Sequence, residues 1–277
     1  MEGFTGKVAV VTGAGSGIGR ALALALGRSG ASVAICDIDT EGLAETEQQL
    51  KDIGAQVKSD RLNVTERAAF EAYAEDVVKH FGKVNQIYNN AGIAYSGTVE
   101  ATAIKDIERV FDVDYWGVVN GTKIFLPHLI ASGDGHVVNI SSVFGLLGIP
   151  GQSSYCAAKF AVRGFTEALS QEMATAGHPV KVTCVHPGGI KTAIARNMTA
   201  AEGLDPTELA REFDTRMART TPEEAARVIL DGVRRGKRRV LIGNDARAFE
   251  AVTRITGSGI QRILPKILER VNYRTRL

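Results

Sequence analysis

The chain has 277 residues, of which 44% are hydrophobic, and a formal net charge of +2. This length and composition are ample for one sizeable core, with one large domain as likely as two small ones, and the near-neutral charge gives no sign of a nucleic-acid-binding protein. Three cysteines without a C-x-x-C pair and five histidines without H-E-x-x-H spacing predict neither a disulfide framework nor a metal site.

The chain carries no targeting or membrane signal that we recognise. The start "MEGFTGKVAVV" has no basic segment ahead of a long apolar run, and no stretch approaches the roughly 18 apolar residues of a membrane span. No G-x-S-x-G motif is present either, which disfavours an ordinary serine hydrolase. We therefore expect a cytoplasmic protein.

Short apolar runs alternate with helical patterns along the chain. The runs are rich in Val and Ile and mostly lack polar alternation, which is typical of strands buried on both faces of a parallel sheet. They cover residues 7–14, 32–39, 56–64, 84–92, 136–142, 180–188 and 239–244. Helices are predicted for 17–29, 41–53, 65–81, 105–132, 153–176 and 222–235, the last with a start signal at Thr221, Pro222 and Glu224. This order predicts the α/β class, as a single domain with a doubly wound, Rossmann-type parallel sheet of about seven strands.

A glycine-rich turn, "TGAGSGIG" (12–19), joins the first strand to the first helix. Glycine lets the backbone approach a phosphate closely, and a helix amino terminus offers free N–H groups and the positive end of its dipole. The spacing differs from G-x-G-x-x-G, because Ile18 and Arg20 occupy the positions where the third glycine would stand. A dinucleotide site is the favoured interpretation, and a tight turn without a ligand is the alternative.

The second strand ends at Asp37, eighteen residues after Gly19. A carboxylate at this place accepts hydrogen bonds from both hydroxyls of an adenosine ribose and repels a 2′-phosphate. The next residue is Ile38 rather than an arginine, so NAD is predicted and NADP is disfavoured. Asp39 is the alternative carboxylate, which we read as a cap for the helix at 41–53.

Tyr155 and Lys159 stand four residues apart in a predicted helix and therefore share one face. A phenol has an ordinary pKa near 10, and a neighbouring ammonium lowers it. We expect Tyr155 to exchange a proton with a substrate hydroxyl, with Lys159 beside it. The spacing alone leaves a surface helix with an unrelated lysine as the alternative.

Taken in order, these segments resemble the short-chain dehydrogenase/reductase family in its shorter, single-domain branch. Thr12-Gly13-x-x-x-Gly17-Ile18-Gly19 is similar to its cofactor turn, "NNAG" (89–92) to its fourth-strand motif, "NISS" (139–142) with Tyr155 and Lys159 to its catalytic set, and "HPGGIKT" (186–192) to its nicotinamide motif. The motifs span residues 7 to about 192, and the element pattern continues to about 244. The resemblance implies an NAD-dependent oxidoreductase that interconverts a secondary alcohol and a ketone, assembled as a homotetramer or homodimer.

The resemblance also implies the roles of individual residues. Ser142, with Ser141 as the alternative, would donate a hydrogen bond to the substrate oxygen, while Lys159 would also hold the nicotinamide ribose. The implied cofactor-binding set contains, besides Asp37, Gly13, Ser16, Gly17, Ile18, Gly19, Asn63, Val64, Asn90, Ala91, Gly92, Tyr155, Lys159, Pro187, Gly188, Ile190 and Thr192.

Two positions depart from the family pattern. Asn63 stands where an aspartate usually contacts adenine, and it can still donate and accept hydrogen bonds. Asp114, in "DVDYWG", stands where the family has a catalytic asparagine. We expect Asp114 to take that place in the proton relay and to add a negative charge near Lys159.

The substrate is expected to be a small apolar alcohol or ketone beneath a lid. The segment 190–221 is long for a loop and has no clear strand, which is typical of a lid over a site. The apolar residues near the motifs are Val143, Phe144, Leu146, Ile149, Ala193, Ile194 and Met198, although ordinary packing explains each of them equally well. No Arg or Lys stands out as a clamp for a substrate carboxylate, with Lys191 in the lid as the exception.

The carboxyl-terminal segment 245–277 is predicted to form a basic amphipathic extension of a catalytic domain at 1–244. From Arg234 onward there are twelve basic residues against three acidic ones. An apolar pattern at 249, 252, 260, 263, 264, 267, 268 and 271 is interrupted by "GSG" (257–259) and Pro265, so two short helices are expected. Packing on the domain or a partner subunit is the favoured hypothesis, and contact with a membrane surface is the alternative. Nucleic acid is not expected, because aromatic residues do not interleave with the basic ones.

Two other functions remain open from the sequence. A catalytically weak cofactor-binding sensor or scaffold of the same fold is one, because Asp114 leaves the relay uncertain. A nucleotide-sugar epimerase, which shares Tyr-x-x-x-Lys, is the other, although its glycine turn is spaced differently.

Overall fold

The computed structural model describes residues 3–270, with side chains up to residue 266. Seven strands form one parallel sheet in the order β3-β2-β1-β4-β6-β7-β9. They are β1 Val8–Thr12, β2 Ser32–Asp37, β3 Val57–Arg61, β4 Gln86–Asn89, β6 Gly135–Ile140, β7 Val180–Pro187 and β9 Arg239–Ile242. The order reverses between β1 and β4, so the predicted doubly wound sheet of about seven strands is confirmed.

Helices cover both faces of this sheet. In chain order they are α1 Gly17–Arg28, α2 Thr40–Asp52, α3 Arg67–Phe81, α4 Ile104–Phe111, α5 Gly117–Ala131, α6 Ser153–Thr175, α7 Ala193–Arg196, α8 Pro206–Glu212, α9 Pro222–Arg234, α10 Asn244–Thr256 and α11 Ile260–Arg270. Two cores result, one formed with α1 and α9 and the other with α3, α5 and α6. Along β1, Ala9 and Val11 face the first core while Val8 and Val10 face the second. Burial on both faces is why the strand sequences lack polar alternation.

Two helix starts follow the sequence signals. The Thr221 hydroxyl accepts a hydrogen bond from the Glu224 amide at 3.2 Å, with Pro222 at the first helical position of α9. At α2, the Asp39 carboxylate accepts one from the Gly42 amide at 3.1 Å. The predicted caps at Thr221 and Asp39 are therefore confirmed.

The predicted helix at 105–132 is interrupted. A π-helical turn, Asp112–Trp116, lies between α4 and α5. A Cβ added to Gly117, the residue after this turn, would lie 2.7 Å from Val64 Cγ2, so the helix passes close to the loop after β3. Within the turn, Asp114 is completely buried. The insertion of one extra residue per turn has no local sequence signal, which is why the prediction missed it.

The segment 190–221 contains α7, α8, a second π-helical turn at Phe213–Met217 and a two-residue strand, β8 Thr199–Ala200. β8 pairs with β5, Tyr95–Ser96, in the loop after β4. Ala201 and Leu204 of the segment pack with Tyr95 and Val110. The segment is thus fastened to the loop that follows β4, and both two-residue strands were too short for a sequence pattern to reveal.

The described carboxyl-terminal part consists of two helices, as expected. A short 3₁₀ turn at residues 257–259 separates α10 from α11, but Pro265 lies inside α11, so the predicted interruption there is wrong. Gln261, whose carbonyl loses its partner at Pro265, is exposed and can bond to water instead. Val252, Ile255 and Ile263 are exposed, and the pattern positions from 267 onward lie outside the described side chains. Packing on a partner and membrane contact both stay predictions.

The basic run at 234–239 is largely paired with acidic residues. Arg234 and Arg235 lie 2.9 and 3.0 Å from the Asp231 carboxylate at the end of α9. Arg239 lies 2.7 Å from Glu250 of α10 and also pairs with Glu167 of α6. Local pairing therefore accounts for much of this charge. Within residues 3–270, no helix is both long and apolar enough to cross a bilayer.

Candidate active site

The glycine turn is held by the segment that follows β4. The Asn90 side-chain amide donates to the carbonyl oxygens of Thr12 and Gly13 at 2.9 and 3.1 Å. The backbone amides of Asn90 and Ala91 both donate to the Thr12 hydroxyl at 3.0 Å. Two motifs that lie 77 to 79 residues apart in the sequence therefore meet at the carboxyl ends of β1 and β4.

Asp37 is fixed against the same turn. One oxygen of its carboxylate accepts a hydrogen bond from the Gly15 amide at 2.8 Å, and the other accepts one from the Asp39 amide at 3.0 Å. Each oxygen retains a further lone pair for a ligand hydroxyl. The structure separates the two candidate carboxylates, because Asp39 caps α2 whereas Asp37 faces the glycine turn.

The first turn of α1 offers a cradle for an anion. The Ser16 side chain makes no capping hydrogen bond, so it leaves the first amides of the helix to another acceptor. Gly17 has a φ of +54°, and a Cβ placed on it would lie 3.1 Å from Thr192 Cγ2. Gly17 and Thr192, from two separate motifs, are therefore in contact. Together with the Asp37 carboxylate, this donor set fits the diphosphate and ribose of a dinucleotide.

Asn63 makes its hydrogen bonds within its own turn. Its side-chain oxygen accepts from the amide and hydroxyl of Thr65 at 3.2 and 3.0 Å, and its side-chain nitrogen donates to Glu66 at 3.0 Å. One hydrogen of that nitrogen stays available. The neighbouring Val64 is buried, and its side chain borders Gly117. Contact of Asn63 and Val64 with adenine stays a prediction.

The segment after β7 is held by residues that sequence reasoning missed. The Gly188 amide donates to the Ile242 carbonyl at 3.0 Å, and the Gly189 amide donates to the Asp245 carboxylate at 2.7 Å. Pro187 belongs to β7 itself, and Ile190, which is buried, forms a bridge with Thr220. Asp245 lies 56 residues from Gly189 in α10, and no spacing in the sequence links the two.

Ser142, rather than Ser141, faces Tyr155. The Ser142 hydroxyl lies close enough to the Tyr155 phenol to favour ionisation of that phenol, and it accepts a hydrogen bond from the Phe144 amide at 3.1 Å. The Ser141 hydroxyl instead donates to the backbone carbonyl of Lys159 at 2.8 Å. The two neighbouring serines thus face different partners, as expected from the extended backbone between them.

Lys159 lies beside Tyr155 on α6, as the four-residue spacing predicts. Its side chain is only 3% exposed, and Nζ lies 5.5 Å from the centre of the Tyr155 ring. The ammonium donates to the Ile140 carbonyl at 3.3 Å and lies 3.6 Å from Oδ2 of Asp114. The Lys159 ammonium therefore lies near both the Tyr155 ring and a buried carboxylate.

Asp114 occupies the centre of this group. Its Oδ1 accepts a hydrogen bond from the Ile93 amide at 2.8 Å, whereas Oδ2 faces the ammonium without a hydrogen-bond partner among the described residues. A Cβ on Gly92 would lie 3.0 Å from Asp114 Oδ1 and 3.4 Å from Lys159 Nζ. The glycine of "NNAG" therefore leaves the room that the charged pair occupies.

The electrostatics of Tyr155 differ from the sequence-based expectation. Burial raises the pKa of its phenol well above the ordinary value, the Asp114 carboxylate raises it further, and the nearby Ser142 hydroxyl opposes both effects. The expected net lowering of the Tyr155 pKa is therefore wrong, because burial and the Asp114 carboxylate together outweigh the effects that favour the phenolate. Burial also raises the pKa of the Asp114 carboxyl, against the effect of the Lys159 ammonium.

His186 and Phe144 complete the surroundings. The His186 Nδ1 lies 2.9 Å from the Ser142 carbonyl oxygen, and burial lowers the pKa of the imidazole to about 4. The neutral ring therefore donates its Nδ1 hydrogen to that carbonyl. The Phe144 ring meets the Tyr155 ring edge-on, with 6.3 Å between the centroids. The sequence placed His186 at the start of "HPGGIKT" but did not indicate its contact with Ser142.

The remaining apolar candidates divide by burial. Val143 and Leu146 are buried and serve the packing of the domain, whereas Phe144, Ile149, Ala193, Ile194 and Met198 are partly exposed. Cys156, next to Tyr155, is buried, and burial raises the pKa of its thiol, in line with its interpretation as a packing residue rather than a nucleophile. Lys191 is exposed.

Comparison with known proteins gives consistent matches. Residues 7–203 match the family model described as short chain dehydrogenase. A protein of Mycobacterium tuberculosis named "Putative oxidoreductase SadH" is 63% identical over 264 residues, which cover 95% of this chain and 96% of that protein. Cyclohexanol dehydrogenase of Acinetobacter sp. is 36% identical over 229 residues, which cover 82% and 87%. The crystal structure of a short-chain dehydrogenase/reductase from Burkholderia phymatum in complex with NAD is 30% identical, with a TM-score of 0.83 over 91% of this chain and 94% of that one.

Proposed function

Because the chain belongs to the short-chain dehydrogenase family of oxidoreductases, we propose that it interconverts a secondary alcohol and a ketone with NAD as cofactor. The observation that carries this proposal is that Lys159 Nζ lies 5.5 Å from the centre of the Tyr155 ring on α6, with Ser142 of the loop after β6 near enough to favour ionisation of the phenol. A phenol with a hydroxyl and an ammonium beside it suits proton exchange with a substrate oxygen.

The glycine turn, Asp37 and the segment after β7 would hold the cofactor. The free amides at the start of α1 would bind its diphosphate, and the Asp37 carboxylate would accept hydrogen bonds from its ribose. When bound, NAD supplies the acceptor for a hydride in alcohol oxidation, and NADH supplies the donor in ketone reduction. The Burkholderia phymatum relative was crystallised with NAD, which supports this choice.

Tyr155 would move the proton. Its phenolic oxygen takes the hydroxyl proton of an alcohol in oxidation, and it returns a proton to the carbonyl oxygen in reduction. Ser142, whose hydroxyl faces Tyr155, would hold the substrate oxygen beside that phenol. Lys159 would stabilise the phenolate form and bind ribose hydroxyls through its ammonium.

The substrate would be a small apolar alcohol or ketone. Phe144 packs edge-on against Tyr155, and Ile194 and Met198 of the lid are partly exposed. Cyclohexanol dehydrogenase of Acinetobacter sp., a relative with 36% identity, carries the name of such an alcohol. Apolar walls favour a compact ring or chain without a carboxylate.

A panel of alcohols and ketones, followed by the absorbance of the reduced cofactor, tests this function. Tyr155→Phe removes only the hydroxyl, so we expect it to retain less than about a hundredth of the wild-type rate while it still binds NAD. Tyr73→Phe is the matched control. Tyr73 lies beside Phe70 and Phe125 in the core formed with α3, α5 and α6, so its substitution should leave the rate unchanged.

Two outcomes would contradict the proposal. Full activity in Tyr155→Phe would remove Tyr155 from the reaction. Binding of NAD without turnover of any panel member would instead favour the alternative function, a cofactor-binding sensor or scaffold, which the unusual Asp114 makes the relevant competitor.

A further inference from the structure

Asp114 and Lys159 form a buried pair of opposite charges directly beside Tyr155. Asp114 is completely buried and the Lys159 side chain is 3% exposed, so water screens neither group. The Ile93 amide donates a hydrogen bond to one oxygen of the carboxylate at 2.8 Å. Gly92 has no side chain, so nothing at that position crowds the two charged groups. The geometry therefore keeps the carboxylate 3.6 Å from the ammonium.

The net charge of this group depends on the residue at position 114. Ionised Asp114, the Lys159 ammonium and the neutral Tyr155 phenol together carry no net charge, and loss of the phenolic proton leaves one net negative charge. With an uncharged amide at 114, the same loss would take the group from one positive charge to none. Tyr155 is partly exposed beside the buried pair, so the like charge of the Asp114 carboxylate opposes its ionisation, whereas an amide would leave the Lys159 ammonium to assist it.

No other described group near Tyr155 changes this balance over the neutral range. From α6, Cys156 is adjacent, and burial raises the pKa of its thiol and keeps it neutral. From the loop after β6, Ser142 contributes an uncharged hydroxyl, and Phe144 contributes a ring. From β7, His186 has its pKa lowered to about 4 and is neutral above that pH. Lys159 and Asp114 are thus the charges that face the phenol.

We propose that Asp114 keeps Tyr155 protonated across the neutral range, so that the acid form needed for ketone reduction is always present and the base form needed for alcohol oxidation develops only at alkaline pH. The proposal rests on the function proposed above. The Lys159 ammonium at 3.6 Å and the Ile93 amide at 2.8 Å both favour the charged form of the Asp114 carboxyl, against the effect of burial. Asp114 is thereby a positioning residue that acts on Tyr155 through charge.

The direct test needs no turnover. Ionisation of Tyr155 in the free protein is followed by the ultraviolet difference absorbance of tyrosinate, and the same chain with Tyr155→Phe is subtracted to isolate this one residue. Asp114→Asn keeps the size of the side chain and an oxygen acceptor for the Ile93 amide, so the fold should be retained. We expect its Tyr155 midpoint to lie at least about one pH unit below that of the wild type.

A matched control lies two residues away. Asp112 belongs to the same π-helical turn but is exposed, so Asp112→Asn should leave the midpoint unchanged. An Asp114→Asn midpoint equal to or above that of the wild type would overturn the proposal. So would the absence of any Tyr155 signal in Asp114→Asn up to the pH at which the fold is lost.

A second measurement is kcat/KM for alcohol oxidation against pH. The rising limb should move to lower pH in Asp114→Asn by the same shift as the spectroscopic midpoint, and activity should be retained. Complete loss of activity with an intact fold would overturn the proposal, because Asp114 would then itself carry the proton. A spectroscopic shift in a protein that turns over no alcohol or ketone would refute the proposed function and leave the effect of Asp114 on Tyr155 standing.

Discussion

The Nδ1 atom of His186 lies 2.9 Å from the backbone carbonyl oxygen of Ser142. This contact joins the end of β7 to the loop that follows β6, and both residues are buried. Because burial lowers the pKa of His186 to about 4, the ring is neutral at physiological pH and donates a hydrogen bond. The backbone of Ser142 is thereby fixed while its side chain faces Tyr155.

We predict that His186→Leu lowers kcat about tenfold with little change in KM. The substitution leaves the buried Ser142 carbonyl without a donor, and a buried acceptor without a hydrogen bond costs about 1–3 kcal/mol. We expect the loop that carries Ser142 to shift so that this carbonyl finds another donor, which displaces the Ser142 hydroxyl. The side-chain nitrogen of asparagine occupies nearly the position of Nδ1, so His186→Asn should recover most of the rate. Equal rates for the Leu and Asn variants would show that the contact does not position Ser142.

The preference for NAD or NADP tests the proposed role of the Asp37 carboxylate. We predict that the wild type has a higher kcat/KM with NAD than with NADP, and that Asp37→Ala brings the two values closer together. The carboxylate, which is held at 2.8 Å from the Gly15 amide, would accept ribose hydrogen bonds and repel a phosphate dianion. Asp37→Asn removes the charge and can keep an acceptor for Gly15, although it leaves the Asp39 amide without its acceptor, so it separates repulsion from loss of the contact with the glycine turn. A wild-type preference for NADP would refute this role of Asp37.

The fold was predictable where the signal is local. The runs marked the seven strands of the sheet, and most of these runs are apolar throughout because their strands are buried on both faces; β3, a half-buried strand of sequence VKSDR, is the exception. The four-residue spacing of Tyr155 and Lys159 placed both on one face of α6, as observed. The strands β5 and β8 have two residues each, which is too few to form a period, and no pattern indicated them.

The candidate site was predictable mainly through family motifs. The sequence identified Ser142 by its distance from Tyr155 in the family pattern, but it gave no sign that His186 holds the Ser142 carbonyl. It placed Asp114 in the relay, yet the raised pKa of Tyr155 depends on burial and on the exact placement of the Asp114 carboxylate. These are long-range contacts, and residue types alone do not determine them.

Substitution of Asp245 tests whether α10 holds the segment after β7 in position for the cofactor. Its carboxylate accepts the Gly189 amide at 2.7 Å, next to Gly188 and Ile190 of the candidate cofactor set. We predict that Asp245→Ala weakens NADH binding about tenfold, which corresponds to ~1.4 kcal/mol. Fluorescence titration with NADH measures this. Asp231→Ala is the control, because Asp231 pairs with Arg234 and Arg235 at the surface, where such pairs contribute little. Unchanged NADH affinity in Asp245→Ala would contradict the prediction.

The stability of the fold should depend on pH through His136. His136 lies near the start of β6, and its Nε2 lies 2.8 Å from the Thr183 hydroxyl. Burial lowers its pKa to about 3, and the ammonium groups of Lys181 and Lys7 act in the same direction. The ordinary histidine pKa of about 6.5 applies to the unfolded chain, so the unfolded state binds the extra proton. Stability from this group is therefore present above about pH 6.5 and is lost as the pH falls toward 3.

We predict that the free energy of unfolding of the wild type falls between about pH 7.5 and about pH 5.5 by roughly 1.4 kcal/mol more than that of His136→Gln. The variant also loses its contact with Thr183, so only this difference between the two pH values is compared, and not the absolute stability. Urea unfolding at the two pH values gives the measurement. His178→Gln is the control, because the His178 side chain is exposed and should leave the pH dependence unchanged. If His136→Gln lost as much stability on acidification as the wild type, His136 would not remain neutral in the folded protein.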